Sequence, residues 1–243
     1  MNKIIFKEIT FLNIKKNRIQ KILNNQGLFL FPSGPGLSTI NQEKIYHKSL
    51  INADYVFFDS GFFVLLLKFF KNIKVNRISG YLFFSIFIKY LRKNKNTKIL
   101  SVDPSSNLSF SNFNFFKKIG LKNKNILNYV APIYKKGKIK DSHLVKIIKK
   151  KKPDFIILNI GGNVQEILGD YINKKMKKKC RIFCTGAAIS FFSGDQAPIN
   201  KEIDKYYLGW LLRIIFKPNI FLKRYILAFK LFFIVLNEKI SIK

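Results

Sequence analysis

An aspartate closes a run that is otherwise almost wholly apolar. In ADYVFFDSGFFVLLL, Asp59 follows Val56-Phe57-Phe58 and precedes Ser60-Gly61. A carboxylate at the end of a buried strand is costly unless it is hydrogen-bonded or faces a cleft. Two roles fit it: a cap for the helix that starts near Gly61, or a general base at the mouth of a sheet. The second stretch is PDFIILNIGGNVQE, where an apolar run stops at Gly161-Gly162 and Asn163, Gln165 and Glu166 follow. Glycines permit close approach to the backbone, and Gln165 and Glu166 fall on the first turn of the next helix, within reach of a bound sugar or nucleotide. Ordinary first-turn polarity is the plain alternative, with Glu166 favoured by the helix dipole. No G-x-G-x-x-G spacing occurs in the chain, so this is not a dinucleotide fingerprint.

Both stretches need a scaffold, and the hydrophobic pattern supplies one. Short apolar runs at 28–31, 54–58, 98–102, 126–130, 154–160 and 181–185 read as strands. Helical periodicity fills 38–52, 61–71, 80–93, 110–119, 140–151, 163–176 and 204–216. The alternation predicts an α/β fold: a Rossmann-like, mostly parallel sheet with helices on both faces. Ligands of such sheets bind beyond the carboxyl ends of the strands. The loops placed there are rich in Gly, Ser, Pro or Asp: 32–37 with Ser33, 59–61, 103–107, 161–166, and 186–190 with Gly186 and Ser190. By the same rule the lysine runs 146–154 and 173–181, which precede strands, belong to the opposite edge, as a solvated or membrane-facing surface.

The 243 residues suffice for one α/β core plus an appendage. Lys+Arg number 45 against 13 Asp+Glu, a net charge of +32, which favours anionic partners such as diphosphates or an acidic membrane surface. AT-rich codons also specify Lys, Asn, Ile and Phe, so each basic residue is judged by position. Cys180 and Cys184, four apart in one strand, point to the same face and read as small buried hydrophobes in a reducing, cytosolic compartment. With His47 and His143 as the two histidines, no metal cluster is expected. There is no D-x-D pair to clamp a metal–diphosphate, so helix N-termini, Arg and Lys must neutralise a departing diphosphate. The N-terminus makes a poor signal peptide, and no run of 18 residues is free of charge, so no transmembrane helix is predicted. From Tyr206 to Leu236, aromatics interleave with Arg213, Lys217, Lys223, Arg224 and Lys230. That mixture suits a helical segment lying at a membrane interface.

Five segments in order resemble the WecG/TagA/CpsF family of bacterial glycosyltransferases: 53–61, 77–80 (RISG), 153–166, 184–198 and 207–225. The resemblance covers roughly residues 20–235. It implies a metal-independent, inverting transferase without cofactor, moving a sugar of N-acetylmannosamine or related type from a UDP-sugar to a polyprenyl-diphosphate-linked saccharide. The setting it implies is cell-envelope or exopolysaccharide synthesis on the cytoplasmic membrane face. Matched by position, Asp59 takes the place of the general base, Gln165 and Glu166 that of the Gln-Glu pair, and Arg213 and Arg224 that of appendage arginines. Asp59, Gln165 and Arg213 are the catalytic candidates. Ser33, Gly161, Gly162, Asn163, Glu166, Gly186, Ser190, Lys223 and Arg224 are candidates for binding donor or acceptor.

Departures from the family pattern are concentrated in the presumed cleft. Phe31-Pro32-Ser33 stands for Thr-Pro-Asn, and Asp59-Ser60 for Asp-Gly. Asn163 stands where Pro is common and Ser190 where Asp is common. Gln196 replaces Arg, Gly209 replaces Glu, and Ile220 replaces an appendage arginine. The expected organisation is a core over 1–195 and a helical, membrane-docking appendage over 196–243, with self-association possible. A non-catalytic scaffold in a polysaccharide assembly complex is one alternative. A nucleic-acid binder is another, although no nucleic-acid motif is present and none is expected as a partner.

Overall fold

The computed structural model describes every residue except 1, 136, 138, 178–179, 197–200 and 208, and leaves the side chains of 201 and 220 aside. Ala197-Pro198, Leu208 and the Ile220 side chain, all part of the family resemblance, therefore lie outside the described residues. The described strands are β1 (Asn2–Phe6), β2 (Ile9–Asn13), β3 (Gly27–Leu30), β4 (Tyr55–Phe57), β5 (Ile99–Asp103), β6 (Ile126–Val130), β7 (Phe155–Leu158), β8 (Arg181–Cys184) and β9 (Ser241–Ile242). Helices α1 (Ile19–Ile22), α2 (Gly34–Leu37), α3 (Lys44–Ile51), α4 (Gly61–Phe70), α5 (Gly80–Lys93), α6 (Ser106–Lys118), α7 (Ser142–Lys151) and α8 (Val164–Lys175) connect them. After β8 come α9 (Ser190–Ser193), α10 (Lys201–Lys205), α11 (Gly209–Phe216), α12 (Pro218–Ala228) and α13 (Lys230–Asn237).

One nine-stranded sheet results, in the order β6-β5-β7-β8-β3-β4-β2-β1-β9. Every pairing from β6 to β2 is parallel, while β1 runs antiparallel to β2 and to β9. This is the α/β, mostly parallel architecture expected from the sequence.

Strand alternation divides the core by chemistry. Leu28, Leu30, Leu100, Val102, Ile156, Leu158, Ile182 and Cys184 point to one face, under α3, α4, α7, α8 and α13. Phe29, Phe31, Phe57, Phe155 and Phe183 point to the other and meet Phe83 and Phe87 of α5. Phe83 and Phe87 meet Phe183 edge to face at 4.9 and 5.2 Å, and Phe31 stacks on Phe57 at 4.8 Å, geometries that aromatic quadrupoles favour. Cys180 and Cys184 are free and buried in the same aliphatic cluster.

Several elements differ from the sequence expectation. The N-terminal residues form a hairpin whose two-residue turn, Lys7-Glu8, holds φ of 50° and 62°. Such a turn normally advertises itself with Asn-Gly. The expected 38–52 helix is confined to α3, from Lys44, with turns over 38–42 and the short α2 ahead of them, and α6 begins at Ser106 because the Ser105 hydroxyl accepts from the Leu108 N–H. The 204–216 helix breaks at Tyr207, whose φ is +62°. The C-terminal segment is not wholly apart from the core: Leu231 and Val235 of α13 are fully buried in the aliphatic cluster, and β9 closes the sheet on β1. Among the described residues no helix is long and apolar enough to cross a membrane.

Candidate active site

Because the strands from β6 to β2 are parallel, their carboxyl ends share one edge. The loops after β3 and β7 lead to helices on the aliphatic face, those after β5 and β8 to helices on the aromatic face. Loops that part to opposite faces open a crevice at that edge.

Asp59 stands in this crevice just beyond β4. It does not cap α4: the Ser60 hydroxyl does, accepting from the Phe63 N–H at 3.2 Å. Asp59 Oδ1 instead accepts from the N–H of Gly80, the first residue of α5, at 2.8 Å. Its Oδ2 has no hydrogen bond among the described residues. Burial raises its pKa above the ordinary carboxylate value, opposed by Arg77, the Gly80 N–H and Arg213, and reinforced by Asp204.

Gln165 and Glu166 project from the first turn of α8 and are buried, 4% and 2% exposed. Gln165 Oε1 accepts from the Gly186 N–H at 2.8 Å, and its Nε2 donates to Glu166 Oε1 at 3.0 Å. This chain links the loop after β7 to the loop after β8, where Gly186 has φ +57°. Gln165 therefore fixes the floor of the crevice. Glu166 lies beneath it, with Oε2 buried and unpartnered among the described residues. Desolvation pushes the Glu166 carboxyl up to about 7, against hydrogen bonds that favour its charge and with help from Asp59. The Tyr46 hydroxyl is also buried without a partner, and burial, then Glu166 and Asp59, raise its pKa.

Gly161 and Gly162 do not owe their identity to backbone strain. A Cβ on Gly161 would meet nothing within 4 Å, and one on Gly162 would lie 3.9 Å from Arg224 Nη2. The glycines keep the rim of the crevice open, with Arg224 of α12 facing it. Asn163 has φ +70°, which a proline ring cannot adopt, and its Nδ2 donates to Thr39 Oγ1 at 3.0 Å. Ser33 starts α2 by accepting from the Gly36 N–H at 3.3 Å. A Cβ on Gly36 would lie 2.6 Å from the Tyr46 hydroxyl.

Arg213 of α11 sits over the Phe191 ring at 5.0 Å and near Phe221 at 5.9 Å. Its Nε is buried with no partner among the described residues. Electrostatically it reaches Asp59. The structure thus gathers Asp59, Gln165, Glu166, Gly186 and Arg213 around the crevice, with Gly161, Gly162, Asn163 and Arg224 at its rim. Lys223 is exposed on α12, and Ser190 is buried as the first residue of α9.

Arg77, Ser79, Asp204 and Tyr46 were not singled out by sequence. RISG marked the segment but gave Arg77 and Ser79 no role, and Tyr46 carried no signal within an amphipathic helix. Among the described residues no three His, Cys, Asp or Glu side chains converge as a metal site.

A family model described as "Glycosyl transferase WecG/TagA/CpsF family" matches residues 4–243. A search of curated proteins finds no match. The match spans nearly the whole chain and includes every residue placed around the crevice, so the chain belongs to the WecG/TagA/CpsF family of glycosyl transferases, enzymes of cell-envelope polysaccharide synthesis.

Proposed function

We propose that the chain transfers a sugar, N-acetylmannosamine or a relative, from a UDP-sugar to a polyprenyl-diphosphate-linked saccharide, with inversion and without a metal. The observation that carries this reading is Asp59. One carboxylate oxygen is pinned by the Gly80 N–H at 2.8 Å, and the other is left for an acceptor hydroxyl. Oδ2 takes the hydroxyl proton as the acceptor oxygen forms a bond to the anomeric carbon. The bond to the diphosphate oxygen breaks, and its electron pair departs with UDP. A backside displacement of this kind inverts the anomeric centre. Arg213, with a buried donor that has no partner among the described residues, and Arg224, facing Gly162, would neutralise the departing charge. A transfer assay with detergent-solubilised polyprenyl-diphosphate-sugar acceptors and a panel of UDP-sugars, with and without EDTA, tests this. Product formation insensitive to EDTA is the expected result; product that disappears with EDTA removes the metal-independent mechanism.

The same enzyme would work as a peripheral protein on the inner face of the cell membrane. Support comes from α11 and α12, where Ile215, Phe216 and Ile226 are 66%, 59% and 59% exposed beside Lys217, Lys223 and Arg224. Apolar side chains enter the acyl boundary while each cation gains about 1 kcal/mol at an anionic surface. Truncation before α10 would also remove core residues of α13, so substitution is the cleaner test. Changing Ile215, Phe216 and Ile226 together to Ser should lower partitioning onto anionic vesicles by at least about tenfold, since each buried apolar side chain contributes roughly 1.5–3 kcal/mol. Unchanged co-sedimentation would refute docking through these helices.

A further inference from the structure

A cluster of side chains with no part in the transfer step joins the Asp59 loop to α10. Arg77 Nε donates to the Asp59 carbonyl at 2.7 Å and Nη1 to the Asp204 carbonyl at 2.6 Å. Its Nη2 lies 3.1 Å from Asp204 Oδ1. The Ser79 hydroxyl donates to Asp204 Oδ2 at 2.7 Å while its oxygen caps α5 by accepting from the Leu82 N–H at 3.0 Å. The Arg77 guanidinium faces the Tyr207 ring at 5.0 Å, and a Cβ on Gly61 would come within 2.8 Å of Tyr207 Cβ. Tyr207 holds a left-handed φ of +62°, which a residue other than glycine keeps only when its surroundings impose it.

These contacts converge on one place, the start of α5. Gly80 there presents its N–H to the Asp59 carboxylate, and the neighbouring Ser79 holds the Asp204 carboxylate. Arg77 grips both loops at once with a fork that lysine cannot reproduce. The Arg77 and Asp204 side chains are each 16% exposed, so the pair is far less screened than a surface ion pair.

We propose that Asp204 is a positioning residue that makes the seating of the C-terminal helices and the alignment of Asp59 a single event. With α10 seated, Arg77 holds the Asp59 carbonyl and the carboxylate stays on Gly80. With α10 displaced, Arg77 loses its bidentate partner and the Asp59 loop is released. The catalytic consequence rests on Asp59 being the base; the coupling itself is a property of the fold. The groups facing Asp59 are Arg77, Arg213 and the Gly80 N–H, which favour its charge, and Asp204, which opposes it, with Glu166 and Tyr46 across the floor. Release from Arg77 and the Gly80 N–H outweighs the loss of the Asp204 charge, so displacing α10 raises the Asp59 pKa.

The test compares the full-length chain with Asp204→Asn and Arg77→Lys. Hydrogen exchange at the Gly80 amide and a ¹³C-carboxyl titration of Asp59 are the readouts, with the Leu100 amide of β5 reporting global opening. Expected in Asp204→Asn are Gly80 exchange about tenfold faster, the scale of one lost charge-assisted hydrogen bond, an Asp59 midpoint at higher pH, and unchanged exchange at Leu100. Arg77→Lys should accelerate Gly80 likewise. If Asp204→Asn opens the whole fold, Arg77→Lys, which leaves the Asp204 carboxylate and the Ser79 cap of α5 in place, provides the comparison. Gly80 exchange and an Asp59 midpoint that stay at wild-type values overturn the proposal. In the transfer assay Asp204→Asn should lower kcat, leave the donor KM near wild type, and move the acid limb to higher pH. Altered exchange in a chain that transfers no sugar would leave the coupling standing and remove the transferase mechanism instead.

Discussion

Asp59→Asn lowers sugar transfer by about 10²–10⁴-fold, the usual contribution of a positioned general base, with donor binding largely retained. The amide keeps the shape of the carboxylate and can still accept from the Gly80 N–H through its carbonyl oxygen, so the fold around α5 survives. What it loses is the capacity of Oδ2 to take a proton. Because burial raises the Asp59 pKa above the ordinary carboxylate value, the acid limb of the wild-type rate profile should lie above the usual carboxylate range. Activity is then present at high pH and lost as pH falls through that raised value. Initial rates of wild type and Asp59→Asn between pH 4 and 9 decide the matter. Full activity in the variant would remove Asp59 from the mechanism, and a membrane-associated scaffold would then account better for the protein.

The second large effect concerns stability. Glu166 is 2% exposed, and its carboxyl is pushed from an ordinary 4.5 to about 7. A carboxyl that binds its proton more tightly in the folded state takes one up on folding between those two values. The Glu166 contribution to stability is therefore greatest below about 4.5 and declines as pH rises through about 7. At 1.36 kcal/mol per unit, ionised Glu166 costs the fold about 3 kcal/mol at pH 8. Glu166→Gln removes that cost while its Oε1 still accepts from Gln165. Urea unfolding should show the variant about 3 kcal/mol more stable than wild type at pH 8, with the difference shrinking towards pH 5. Equal stabilities at both pH values would mean that Glu166 is not buried as a charge. Retaining Glu at this cost fits a site where a carboxyl close to neutrality lies near Asp59 and beside the Gln165–Gly186 link.

Much of the architecture was legible in the chain. Strands β3, β5, β7 and β8 are buried on both faces of a parallel sheet and so read as continuous apolar runs, and Ser or Asp residues mark the starts of several crossover helices. The hairpin β1–β2 was not legible, because Lys7 and Glu8 adopt the positive φ values that Asn and Gly usually supply. Strand β9 has only two residues, too few to leave a periodic trace.

The sequence by itself determined the fold class, the edge of the sheet that carries the candidate site, and the residue types gathered there: an aspartate after β4, a Gly-Gly turn and Gln-Glu pair after β7, and arginines near the C-terminus. Those depend on local pattern and on the rule that parallel strands end together. Tertiary structure decided the roles. Ser60 caps α4, which releases Asp59 to the start of α5. Gln165 spans two loops, and Glu166 is buried beneath it. The Arg77 contacts join Asp59 and Asp204, positions 18 and 127 residues away from it in the chain. No local pattern encodes such pairings, because they exist only once the sheet has brought distant loops to one edge and the C-terminal helices have closed over them.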